Sequence, residues 1–143
     1  MAAAPEEPRV TAFERLGGAQ AIGRIVERFY DLMECDPAYA ELRAMHAPDL
    51  APMRKSLAGF LTGWSGGPRD WFDANPGKCM MSMHSGFPIG AQTATQWAEA
   101  MQRAIADAEL QDAEVAALLS ERLDMIARSM GQTGKTAEGP AAA

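Results

Sequence analysis

The chain is short of the residues that build sheets, disulfide frameworks and polyanion-binding faces. Valine occurs only at Val10, Val26 and Val115, and so few β-branched residues disfavour a sheet. Two cysteines, Cys35 and Cys79, are too few for a disulfide scaffold. Positive charge is in deficit: 13 Lys and Arg stand against 19 Asp and Glu, a formal net charge of -6. That balance excludes duplex nucleic acid or an anionic membrane surface as the main partner. No apolar run approaches the roughly 18 residues that span a bilayer. The start, Met1-Ala-Ala-Ala-Pro-Glu-Glu-Pro8, lacks the basic and apolar regions of a signal peptide, which predicts a soluble, cytoplasmic chain. With His46 and His84 the only histidines, a zinc site of three or four ligands is poorly supplied.

What is present is ordinary for one globular domain. A length of 143 residues with 48% hydrophobic and 22% charged content supports a real core. Abundant Ala, Leu, Met, Glu and Arg point to an all-α fold. Prolines at 5, 8, 37, 48, 52, 68, 76, 88 and 140 divide the chain into helical windows. Thr11 and Glu14 have capping-box spacing, and that short helix stops at Gly17-Gly18. The next helix carries Ile22, Val26, Phe29, Tyr30 and Met33 as an inward stripe and ends near Pro37. One or two turns fit 38–45. A helix starting at Asp49 or Ala51 places Met53, Leu57, Phe60, Leu61 and Trp64 on one face and stops at Gly66-Gly67-Pro68. Residues 69–78 read as a loop, and 78–84 as two helical turns. Two last helices, about 92–108 and from about 112, carry Trp97, Met101 and Ile105, then Val115, Leu118, Leu119, Arg122, Ile126 and Met130. Residues 1–10 and 131–143 read as a flexible start and a disordered tail around a domain at 11–130.

Three side chains hold most of the chemistry. His84, before a Gly/Pro break, is either a capping histidine at a helix end or a metal ligand; one axial imidazole suffices for haem iron. Tyr30 and Trp97 lie on inward faces of separate helices, where a phenol and an indole N–H need acceptors. They are either plain core or the lining of a ligand pocket. Cys79-Met-Met-Ser-Met-His84 offers soft ligands for Cu(I), although methionines at helical spacing also serve as flexible packing. Ser129-Met-Gly-Gln-Thr-Gly-Lys-Thr136 only imitates a phosphate loop, since Ser129 stands where the first glycine is required.

Five segments in order then resemble the group II truncated haemoglobins: Phe13-Glu-Arg-Leu-Gly-Gly18, Arg28-Phe-Tyr-Asp-Leu-Met33, Gly63-Trp-Ser-Gly-Gly-Pro68, His84-Ser-Gly-Phe-Pro-Ile89, and Trp97 thirteen positions after His84. The resemblance covers residues 11–130 and implies a two-over-two helical sandwich around haem b. It makes His84 the proximal iron ligand, with Tyr30, Trp97 and His46 donating hydrogen bonds on the distal side. Met53 matches the position where many globins keep a distal histidine. Leu57 and Phe60 would line the distal face, with Trp71, Phe87 and Met101 as further pocket residues. Met83 and Ser56 stand where the family often has basic residues, which leaves Lys55, Arg54 and Lys78 as candidates for the haem propionates.

The resemblance implies binding of dioxygen, carbon monoxide, nitric oxide or peroxide, in a redox role rather than bulk storage. Peroxide reduction or nitric oxide oxidation are the expected activities, His46 the candidate acid–base group, and an unidentified reductase the partner. Two alternatives stand beside it: a six-coordinate electron-transfer or sensor protein with His46 as sixth ligand, and a haem-free Cu(I)-binding helical module. Monomer and homodimer are both compatible with the sequence.

Overall fold

The computed structural model describes residues 11–76 and 89–142, with side chains through Met130. The described residues are helical throughout, without strands. The elements are α1 (Ala12–Leu16), α2 (Gly18–Cys35), a 3-10 turn (Pro37–Tyr39), α3 (Ala40–Ala44), α4 (Ala51–Trp64), α5 (Asp70–Ala74), α6 (Ala91–Asp107) and α7 (Ala113–Ala142). Among these, α6 packs on both α2 and α7, and α2 carries α4. The result is two helix pairs laid over each other.

Local chemistry accounts for the ends. The Thr11 hydroxyl accepts from the Glu14 N–H at 3.1 Å, capping α1. Gly17 closes that helix at φ 117° and opens the next, a left-handed conformation that costs a residue with a Cβ far more. Asp36 ends α2 and accepts from the Ala38 N–H at 2.9 Å. Asp49 and Asp112 do the same for Ala51 and Val115. Ion pairs Arg28–Asp107 and Arg103–Asp36 tie α2 to α6, and Arg15–Asp112 ties α1 to the start of α7.

The core is built from the stripe expected on α2, widened to Ala21, Ile25 and Leu32. It meets an alanine-rich face of α6 in which Ala94, Ala98, Ala100 and Ala104 are buried with Met101 and Ile105; small side chains let the backbones approach closely. On α4 only the C-terminal half of the apolar face is covered. Phe60 and Leu61 are buried, Leu57 and Trp64 are half-buried, and Met53 is 38% exposed.

Two local expectations are corrected. The stretch 69–78 is not all loop, since α5 occupies Asp70–Ala74. Tertiary packing creates this helix: Trp71 and Phe72 lie against Gly59 and Gly63, where an added Cβ would stand 2.8 Å and 2.5 Å from their side chains. The inward face of α7 is Leu119, Leu123, Ala127 and Met130. Leu118, expected inside, is 48% exposed, because the helix is rotated so that the 119/123/130 spacing meets α6. Residues 1–10 and the two turns expected at 78–84 lie outside the described residues.

Candidate functional site

Helix α2 presents Phe29 and Tyr30 side by side, and a run of aromatic contacts starts there. Phe29 meets Tyr30 edge-on at 5.0 Å between centroids and meets Trp97 of α6 at 5.1 Å. Tyr30 in turn meets His46, just after α3, at 6.2 Å and nearly perpendicular. The structure therefore brings Tyr30, His46 and Trp97, which lie on three separate segments, into one connected group. Edge-to-face geometry of this kind holds rings in defined orientations.

The polar atoms of that group are distinctive. Among the described residues, neither the Tyr30 hydroxyl nor the Trp97 indole N–H has a hydrogen-bond partner. Yet no fully buried side-chain N or O among them lacks one. Both donors therefore keep some contact with solvent. Tyr30 is otherwise only 4% exposed, and burial pushes its phenol up to about 12, against the nearby positive charge of Arg54. It stays a neutral O–H donor at any physiological pH.

His46 is oriented from behind. Its Nδ1 lies 2.8 Å from the Leu42 carbonyl. That oxygen can only accept, so Nδ1 carries the proton and Nε2 is the nitrogen able to exchange one. Arg54 reaches from α4 across α2, where it pairs with Glu27, Asp31 and Glu34 while its guanidinium carbon stands 5.6 Å from the Tyr30 ring centroid.

A second aromatic cluster lies toward the other end of α4. Phe60 stacks on Trp64 at 6.0 Å and meets Trp71 and Phe72 at 5.7 and 5.6 Å. The Trp71 indole donates to the Ser56 hydroxyl at 3.1 Å. Met53 and Leu57 lie on the N-terminal half of α4's apolar face, Met53 exposed and Leu57 half-buried. Lys55 is exposed, and Met101 is 1% exposed within the core. His84, Phe87 and Lys78 lie outside the described residues. A surface groove of about 340 Å³ beside the end of α2, lined by Met33, Cys35, Pro37 and Arg43 among others, contains none of the candidate residues.

Two features escaped sequence reasoning. Ser56 is paired with Trp71, and Arg54, a propionate candidate by position, is committed to three carboxylates. The second had a signal: Glu27, Asp31 and Glu34 follow i, i+4, i+7 spacing around Tyr30.

Comparisons with known proteins bear on the family and the fold. Residues 11–132 match the bacterial-like globin family. The group 2 truncated hemoglobin YjbI of Bacillus subtilis is 26% identical over 113 residues, 79% of this chain and 83% of that protein. Among solved structures, the group II 2-on-2 hemoglobin of Agrobacterium tumefaciens superposes with a TM-score of 0.82 at 26% identity, covering 88% of this chain and 97% of that one. The hemoglobin of Chloroflexus aurantiacus gives 0.77 at 29% identity, covering 87% and 98%. With an all-helical two-over-two architecture and a family match over most of its length, this chain belongs to the bacterial-like globin family, as a truncated globin of group II, and that membership implies haem binding.

Proposed function

We propose that the protein is a haem b globin whose distal side, built from Tyr30, Trp97 and His46, holds dioxygen and related small ligands for redox chemistry. The observation that carries this reading is the pair of inward donors, Tyr30 O–H and Trp97 N–H, that keep some solvent contact and have no acceptor among the described residues. The residues fit haem on a second count. Met53 is exposed and Leu57 half-buried on the apolar face of α4, and a flat apolar macrocycle is a suitable cover for that strip. The domain limits proposed are 11–130.

Haem supplies the iron that takes a diatomic ligand or peroxide, and His84 is the residue we assign as its proximal ligand. Everything else falls to the chain. Tyr30 is held neutral by burial, so it donates a proton to a hydrogen bond without surrendering it. Trp97 can donate and cannot accept, which favours ligands carrying negative charge over those that do not. Each neutral bond contributes about 1 kcal/mol, and bonds to a charged acceptor about twice that. His46, with Nδ1 held by Leu42, exchanges protons at Nε2 and is the acid–base group we assign to peroxide chemistry. Phe60, Trp71, Phe87 and Met101 are proposed as apolar lining, and Lys55 and Lys78 as propionate contacts.

A titration of the haem-free protein with haemin tests the reading. Saturation at one haem per chain, followed on reduction by a Soret shift with carbon monoxide, is the expected result. Non-saturating uptake would overturn it and bring Cu(I) titration of the Cys79–His84 segment forward. His46→Ala in the ferric protein checks the six-coordinate alternative: an unchanged spectrum leaves His46 as a distal hydrogen-bonding group, and a changed one makes it the sixth ligand.

A further inference from the structure

Glu27, Tyr30, Asp31 and Glu34 form one stripe of α2 at i, i+3, i+4, i+7 spacing, and a single side chain from α4 lies along all of it. Arg54 Nη1 donates to the Glu27 carbonyl at 3.2 Å and also to the Glu27 carboxylate. Its Nη2 donates to Asp31 Oδ1 and Glu34 Oε1, each at 3.1 Å. The guanidinium carbon sits 5.6 Å from the Tyr30 ring centroid, within cation–π range. Four acceptors on α2 occupy both terminal nitrogens of the guanidinium, so Arg54 is withdrawn from the propionate role its position suggests.

The Tyr30 ring needs support of this kind. Its hydroxyl has no acceptor among the described residues, so no hydrogen bond among them fixes the ring at that end. Among the described residues, three aromatic or cationic groups face the ring: Phe29 on the same helix, His46 after α3, and Arg54. Of the three, Arg54 alone comes from α4, the helix bearing the apolar strip that the haem is proposed to cover. We propose that Arg54 is a positioning residue for Tyr30: by stitching α4 to two turns of α2 across the ring, it sets the angle at which the phenol donates, and so how firmly a distal ligand is held. The proposal rests on the reading of Tyr30 as a distal donor.

The test uses the haem-loaded full chain in wild type, Arg54→Met, Arg54→Lys, Tyr30→Phe and Arg54→Met/Tyr30→Phe. The C–O stretching band of the ferrous carbon monoxide complex reports the field at the ligand, and stopped-flow mixing gives the dioxygen dissociation rate. Arg54→Met is expected to broaden or split the band and to speed dissociation about threefold, a coupling in the range found for residues in contact. Both effects are expected to vanish in the Tyr30→Phe background. Arg54→Lys, which keeps the charge without the fork, is expected to restore part of the rate and keeps the test available should Arg54→Met fold poorly. An unchanged band and rate in both Arg54 variants would overturn the proposal. So would equal effects with and without the Tyr30 hydroxyl, which would make Arg54 a purely structural tie. If Tyr30→Phe alone changes neither readout, the distal reading itself fails, and with it the proposal.

Discussion

Tyr30→Phe separates two consequences of one hydroxyl. In the haem-free chain, the Tyr30 oxygen has no protein acceptor among the described residues, while the ring contacts with Phe29 and Arg54 belong to atoms that phenylalanine keeps. Removing the oxygen therefore breaks no hydrogen bond, and it relieves the desolvation of a group that is only 4% exposed. Unfolding in urea is expected to show a change within about 0.5 kcal/mol of zero, or a gain, where loss of a bonded buried hydroxyl costs about 1 kcal/mol or more. In the haem-loaded protein the proposed function makes the same oxygen a donor. Bound dioxygen carries negative charge, so the lost bond is worth about 1.5–3 kcal/mol, or about 10- to 100-fold in dissociation rate. Carbon monoxide carries little such charge and is expected to dissociate less than about threefold faster. Destabilisation of the haem-free variant by more than about 1 kcal/mol, or a dioxygen dissociation rate equal to wild type, would refute the reasoning.

Other consequences are structural. Gly63→Ala places a Cβ 2.5 Å from Phe72, whose ring is braced by Arg69, Phe60 and Trp71. Overpacking of about 1–3 kcal/mol, offset by about 1 kcal/mol of better helix propensity, should leave a net loss visible in thermal melts. Gly23→Ala, with nothing within 4 Å of the new Cβ, should instead stabilise by about 0.5–1 kcal/mol. Arg103 holds Asp36, and the Val115 N–H and Arg15 hold Asp112, so both carboxyls sit below the ordinary 3.8. Their contribution is present above 3.8 and lost as pH falls beneath it; an Asp36→Asn/Asp112→Asn protein should lose less stability over that interval in acid titrations. At the other extreme, the Tyr30 phenol is raised from 10.0 to about 12, so the unfolded chain ionises first. Stability is expected to fall across that window, and less steeply in Tyr30→Phe when alkaline unfolding is followed by circular dichroism.

Legibility in the sequence followed the range of the interactions. The Thr11 cap and the α2 stripe are local, involving residues three or four apart, and both stand where the spacing placed them. Helix α5 was not legible, because Trp71 and Phe72 are held by two glycines a helix turn apart on α4, and that meeting exists only after folding. The facing of α7 turned on a choice among overlapping apolar positions, and only contact with α6 selects Leu119 and Leu123 over Leu118. At the site, Tyr30, His46 and Trp97 were legible individually and through resemblance, whereas their joining through Phe29 required α2 and α6 to pack. Arg54 illustrates the limit most sharply. Its three acidic partners stood in the sequence at helical spacing, yet which helix would deliver a cation to them is a tertiary fact.

The assignment of His84 as the proximal ligand is the centre of the account, and ferrous carbon monoxide spectra of haem-loaded wild type and His84→Gly test it most directly. The account predicts a sharp, shifted Soret band in wild type, loss of its native form in His84→Gly, and recovery when imidazole is added to the variant. A native spectrum in His84→Gly without imidazole would contradict it.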